Sequence, residues 1–565
     1  MSLFAAIQNS ANALQVAQLG LHVVGNNISN ANTPGYIRQE LVQVPTAGVK
    51  VGDTILGYGV RAKGVEQKID NFILARLRQV QSDLSSSEAI DESYSRLEAI
   101  LGELTDTDIS SQLSDFASAI NDVLNQPGND ALRRLVVERG TTLAGKINNT
   151  ARQLDDISVN LTQEVRGSVD EINRLTEQIA KLNRRIVELE GGRTSGSDAV
   201  GLRDERIALL QELSSIVDVR AEEQASGSVT VLIGGEYLVA EGIYRPVKFA
   251  YRTDGEEVIP EVRLADTDSP IRAAGGRLHG LLEARENAIG SALDNLDTFA
   301  RDLIEQFNLI HSQGQGLDGF REVTGTYVSD DPSGPLDLSG YAVGLKNGQF
   351  EIQVKDFSTG LSTTHTIRVK LTGSADDSSL EDVRQSIEAI AGLNASITSE
   401  GALRIESDNE KLEFSFQNDS SNFLAAAGIN TFFVGDTANS IAVNNVIASD
   451  PRKFAASLSG IGSATDNALL LANSFDSPLE TLGGQSIKQA YESIVVETTQ
   501  DINVQAGVSD GLRSFYRTLE GEHLAVSGVN LDEEAIKMIF YQRAFQASSR
   551  VIQASDEMLQ ILVSL

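Results

Sequence analysis

Residues 527–565 read SGVNLDEEAIKMIFYQRAFQASSRVIQASDEMLQILVSL, and this stretch sets the organisation of the whole chain. Asn530 suits a helix cap, with Glu533 at the capping-box position and Asp532, Glu533 and Glu534 at the positive end of the dipole. Ile536, Phe540, Ala544, Ala547, Val551, Ala554, Met558, Leu562 and Leu565 then recur at steps of three and four, forming one helical stripe. A second stripe, Met538, Tyr541, Phe545, Ile552 and Leu559, lies roughly 120° around the helix. A helix at the edge of one core needs only one apolar face. The spare face predicts coupled folding and polymerisation, with the terminal helices largely disordered in a free subunit and ordered when packed against others.

The amino end carries the same signal. Leu3, Ile7, Leu14, Ala17, Leu21, Val24 and Ile28 keep a heptad broken only by Ser10, with Val16, Leu19 and Val23 adding apolar surface off that stripe. No Asp, Glu, Lys or Arg occurs before Arg38. Gln8, Asn12, Gln15, Gln18 and His22 keep every apolar run well short of the ~20 residues of a membrane span. A basic region and small-residue cleavage site are missing, so no secretory signal is expected. Pro34 and Gly35 end the helix.

Residues Asn26-Asn-Ile-Ser-Asn-Ala-Asn-Thr-Pro-Gly-Tyr36 resemble the amino-terminal signature of bacterial flagellar rod, hook and hook-associated proteins. The run from Ile539 to Leu559 resembles their carboxyl-terminal helix. The resemblance implies a structural subunit placed between hook and filament, exported without a cleaved signal peptide and lying outside the cell in the flagellum. It implies self-assembly in a helical or ring-like layer. The neighbours would be hook protein below and a second junction protein above, with a cytoplasmic export chaperone before that. On this reading Leu3, Ile7, Leu14, Leu21, Val24 and Ile28 pack between subunits, as do Ile536, Phe540, Tyr541, Phe545, Val551, Ile552, Met558, Leu559 and Leu562. Asn26, Asn27, Asn30, Asn32, Pro34, Gly35 and Tyr36 form the signature turn. For its asparagines, local helix termination and contact with neighbouring subunits remain equally open.

A net charge of −33 argues against nucleic acid or an anionic membrane as partner. Without cysteine, disulfides and thiol chemistry are excluded. At 565 residues several domains are expected. The fold class is multidomain α+β, with terminal coiled-coil helices, a long-helix body built from both chain halves, and two β-rich insertions. The expected divisions are 1–44 with 527–565 (terminal core), 45–215 with 271–318 and 436–526 (helical body), 216–270 (small β insertion) and 319–435 (outer β-rich domain). Helices are expected from near Val65 to Leu101, over Ile109–Leu124, over Ala131–Glu190, over Ala199–Ser215, over Arg277–His311, and from Ser440 through Leu524. In the third, Leu161, Val165, Ile172, Leu175, Ile179, Leu182, Ile186 and Leu189 read as a coiled-coil seam, with possible breaks at Gly140, Gly145 and Gly167.

No catalytic, cofactor or metal site is expected. Gly314, Gly316 and Gly319 spell a dinucleotide pattern, but after a helix rather than a strand. His22, His279, His311, His365 and His523 show no metal-ligand spacing. Asp266, Asp268, Asp330 and Asp331 lack the closing glutamate of a calcium loop. The glycosylation triplets at Asn27, Asn160 and Asn418 read as chance. The alternatives are a hook or distal rod subunit, a secreted coiled-coil adhesin and, least supported, an enzyme within the β insertions.

Overall fold

Polar residues ahead of apolar runs act as helix caps. The computed structural model of the chain describes residues 3–51, 54–102, 108–191, 199–255, 257–374 and 376–564. In it Asp70 Oδ1 accepts from the amides of Phe72 (2.9 Å) and Ile73 (3.2 Å), opening helix Asn71–Leu101. Asp108 caps helix Ile109–Asn125 through the Ser111 amide, and Ser379 and Asp382 close a reciprocal capping box on helix Leu380–Glu388. The chain is mixed α and β, with long helices at both ends and several small sheets.

Two units form. One comprises Met1–Tyr94, Asn160–Glu286 and Asn503–Leu565, the other Ser95–Val159 and Asn287–Ile502. The first contains the amino-terminal helix (Leu3–Ser29) packed on the carboxyl-terminal helix (Leu531–Ser564). It also holds an antiparallel pair, Gln39–Pro45 with Val60–Gln67, whose register shifts at Val42/Gln43. Four short antiparallel strands between Arg220 and Tyr244 follow in sequential order, then a hairpin of Val247–Asp254 with Glu257–Leu264.

Helix Asp130–Leu189 is continuous, so Gly140, Gly145 and Gly167 do not break it. Gly140 serves close approach, since a Cβ there would lie 2.7 Å from the Phe432 ring. The expected coiled-coil seam is buried except at Leu189. Asn173 exchanges two hydrogen bonds with the backbone of Val247 (both 2.8 Å), and Asn183 does so with Val229 (2.7 and 3.0 Å). A side-chain amide offers one donor and one acceptor in the geometry of a peptide group, so it binds a strand as another strand would. These asparagines tie the helix to strands, and Asn183 Oδ1 also accepts from Arg206 Nη1 of helix Val200–Ile216 at 2.9 Å.

In the second unit, rings of Phe116, Phe307, Phe432, Phe433 and Phe475 form a core with centroids 4.8–6.2 Å apart. Two three-stranded sheets follow. Gly348–Asp356 lies between Ser362–Val369 and Leu412–Gln417, and Leu403–Ser407 between Glu322–Thr324 and Leu393–Ile397. Phe350, Ile352, Leu403, Phe414 and Phe416 share their core with Leu380 and Val383.

Three expected helices are cut differently. The strand before Asn71 runs to Gln67, so no helix opens at Val65, and Phe72 is exposed. A π-helical turn, Ala284–Gly290, separates Gly276–Glu283 from Ser291–His311. Between Ser440 and Leu524 only Asn445–Ser449, Asp466–Asn473 and Ile487–Ser527 are α-helical. Gly460, Gly483 and Gly484 hold positive φ there, a conformation that an α-helix cannot continue through. The Gly314–Gly319 segment is a loop packed closely on Arg452, Lys453 and Asn467.

Candidate subunit-packing surface at the chain ends

The two terminal helices meet along the amino-terminal face that contains Val16, Ala17, Gly20, Val23, Val24 and Asn27, all buried. Leu3, Ile7, Leu14, Leu21 and Ile28 flank it half-buried. Val16 and Val23, read from sequence as lying off the main stripe, are therefore inside it. Gly20 permits the closest approach: a Cβ there would sit 2.5 Å from Tyr541 Cε1.

From the carboxyl-terminal helix, the stripe of Met538, Tyr541, Phe545, Ile552 and Leu559 is half-buried. The other stripe faces away. Ile536 is 69% exposed, Phe540 64% and Met558 56%, and Val551 and Leu562 are also exposed. Leu565 lies outside the described residues. A shallow pocket of about 190 Å³ opens beside Phe540, lined by Gly20, Val23, Val24, Leu41, Lys537 and Tyr541. The helix pair thus has one satisfied face and one unpartnered apolar face.

A buried polar network fixes the pair in register. Asn27 Nδ2 donates to Gln39 O and to Glu534 Oε2, both at 2.9 Å. Its Oδ1 accepts from Tyr36 Oη (2.9 Å) and the Gln39 amide (3.0 Å). Both donors and both acceptors of the amide are therefore satisfied. Glu534, fully buried, also accepts from Arg38 Nε at 3.0 Å, and Arg38 Nη2 reaches Glu533 at 2.6 Å. Burial pulls the Arg38 pKa down, but hydrogen bonds and charge from Glu533 and Glu534 outweigh it and hold the value above the ordinary one. Burial, then the charges of Asp204 and Glu534, push Tyr36 up to about 12. Asn530 Oδ1 caps the helix through the Asp532 amide (3.0 Å). The Glu533 carboxylate turns to Arg38, where sequence suggested a capping box.

The signature turn divides accordingly. Asn27 is buried and Tyr36 and Asn30 half-buried, while Asn26, Asn32, Pro34 and Gly35 are exposed. Asn30 donates through Nδ2 to Asn26 O at 3.0 Å, closing the helix end, and Gly35 takes φ +76°. Sequence reading missed Glu534 and Arg38 as a buried pair. The available signal was Arg38 itself, the first charge after a wholly uncharged run.

Three family matches fall on this chain. The family described as Flagella basal body rod protein matches residues 7–36, and Flagellar basal body rod FlgEFG protein C-terminal matches 520–565. Between them, Flagellar hook-associated protein FlgK helical domain matches residues 94–326. Flagellar hook-associated protein 1 of Escherichia coli (strain K12) is 25% identical over 585 aligned positions, covering 99% of both chains. Along its whole length the chain resembles flagellar hook-associated protein 1. The Salmonella typhimurium relative of the same name is 24% identical, again over 99% of both. The solved flagellar hook junction protein FlgK from Burkholderia pseudomallei is similar over 80% of this chain and all of its own, at 15% identity and a TM-score of 0.49. The family's rod-type matches coincide with the two paired helices, and its helical domain with the segment containing the long helix. Members are structural proteins of the flagellum. Among the described residues no helix is long and apolar enough to cross a membrane, and no group of three or more His, Asp or Glu could hold a metal ion.

Proposed function

We propose that this chain is a structural subunit joining flagellar hook to filament, and that it assembles by laying the outer stripe of its carboxyl-terminal helix against neighbouring subunits. The carrying observation is the uncovered row Ile536, Phe540, Val551, Met558 and Leu562, opposite a stripe already used on the chain's own amino-terminal helix. Covering such side chains is favourable by about 1.5–3 kcal/mol each when complete, so a layer of copies has a driving force that a lone copy lacks. The neighbours on this reading are further copies, the hook protein below and a second junction protein above, after delivery by an export chaperone to the cell exterior. Residues 319–435 form the outer coat, and the chain has no enzymatic role.

Deleting the gene should leave complete hooks while filament protein accumulates in the medium. Loss of the hook itself would refute the junction role. A hook or distal rod subunit shares the end motifs, but the match across residues 94–326 favours the hook-associated reading.

A further inference from the structure

The first unit contains a cleft of about 650 Å³ between helices Asn71–Leu101 and Val200–Ile216 and the strands Val60–Gln67 and Arg220–Glu223. Clefts of this size commonly take small organic molecules. Leu74, Ile207 and Leu210 give it an apolar wall, and Arg78, Arg203 and Arg206 also line it.

The three are not equivalently partnered. Arg203 Nε and Nη2 are held by the two Glu190 oxygens at 3.0 Å, with Glu223 on Nη1. Arg206 Nη1 donates to Asn183 Oδ1 (2.9 Å) and Gly227 O (2.7 Å), yet among the described residues its buried Nε has no acceptor. Arg78 is 8% exposed, and among the described residues its buried Nε has no hydrogen-bond partner. Burial, with no carboxylate to oppose it, pulls its pKa below the ordinary arginine value. An unpaired buried charge is costly to keep, and the planar guanidinium fork matches a carboxylate. Glu66 and Glu223 also line the cleft, which disfavours anions of higher charge.

We propose that this cleft binds a small organic monocarboxylate, its charge met by Arg78 and its hydrocarbon part by Leu74, Ile207 and Leu210. The site is separate from the terminal helices and stands whether or not their assembly role does. Purified full-length chain titrated with hexanoate, acetate and inorganic phosphate by calorimetry tests it, alongside the Nε–H NMR signals of 15N-labelled arginine. Hexanoate should bind saturably, about tenfold or more tighter than acetate or phosphate, and Arg78→Gln should weaken it by about tenfold or more. The Arg78 Nε–H signal should move on hexanoate addition. Equal affinity in Arg78→Gln, phosphate binding as tightly as hexanoate, or no binding at millimolar hexanoate would each overturn the proposal. Should Arg78→Gln not fold, an Arg78 signal in the unaltered chain that hexanoate leaves in place overturns it equally.

Discussion

Replacing Gly20 by alanine tests the terminal helix pair at its tightest point. The added Cβ would lie 2.5–2.7 Å from three atoms of the Tyr541 ring, far inside the 3.5–4.0 Å of a normal carbon contact. Overpacking of this kind costs about 1–3 kcal/mol. Tyr541 also accepts a hydrogen bond from Gln43 at 3.2 Å, and displacing the ring puts a further ~1 kcal/mol at risk. Against this, alanine is favoured over glycine in a helix by about 1 kcal/mol. The clash wins, for a net loss of about 1–3 kcal/mol. Gly25 is the control, because nothing lies within 4 Å of a Cβ there. Gly25→Ala should therefore stabilise the pair by up to about 1 kcal/mol. The variants should differ by about 1–4 kcal/mol, or roughly 5- to 700-fold in amide hydrogen exchange of residues 3–29 and 531–564 measured under equilibrium opening. Equal protection in the two variants would refute the packing described here.

Changing Phe540 and Ile536 together to serine should leave the monomer's thermal unfolding within about 0.5 kcal/mol. It should raise the critical concentration for polymerisation about tenfold or more, a result that sedimentation reads directly. Asn27→Ala strands Glu534, Tyr36 and Gln39, and should lower the urea midpoint of the helix pair by the equivalent of about 2–4 kcal/mol. His311 is fully buried, accepting from the Ala455 amide and bonded to Asn430 O through Nδ1, and burial lowers its pKa to about 4. Its neutral form is favoured in the fold, so its contribution is complete above pH ~6.5 and is lost as pH falls towards 4, by about 3 kcal/mol. His311→Gln should flatten that slope in a pH series of denaturation curves. Asp204 has the opposite sign: burial raises it to about 6, so stability falls as pH rises from ~4 to 6, by roughly 1 kcal/mol after allowing for solvent contact. Asp204→Asn should remove that fall.

The terminal helices were legible because stripes three and four residues apart survive any packing arrangement, and both carboxyl-terminal stripes occupy the positions their spacing implied. The alternating strands between Val229 and Leu264 and between Phe350 and Phe416 were legible for the same reason. The polar network was not. Asn27, Arg38 and Glu534 each have an unremarkable local reading, as helix end, surface charge and dipole partner, and only the pairing of distant segments makes them one buried group. On the long helix the apolar seam was legible from its spacing, whereas Asn173 and Asn183, which bind strand backbone, carry no periodic signal. From Ser440 to Leu524 the apolar residues keep helical spacing across glycines whose positive φ interrupts the helix.

The bond from Asn27 to Glu534 joins positions 507 residues apart, and that from Arg38 spans 496. Such a clasp forms only when residues 27 and 38 and residue 534 are present together in one folded chain. A chain halted midway would carry an unanswered arginine and an amino-terminal helix with no mate.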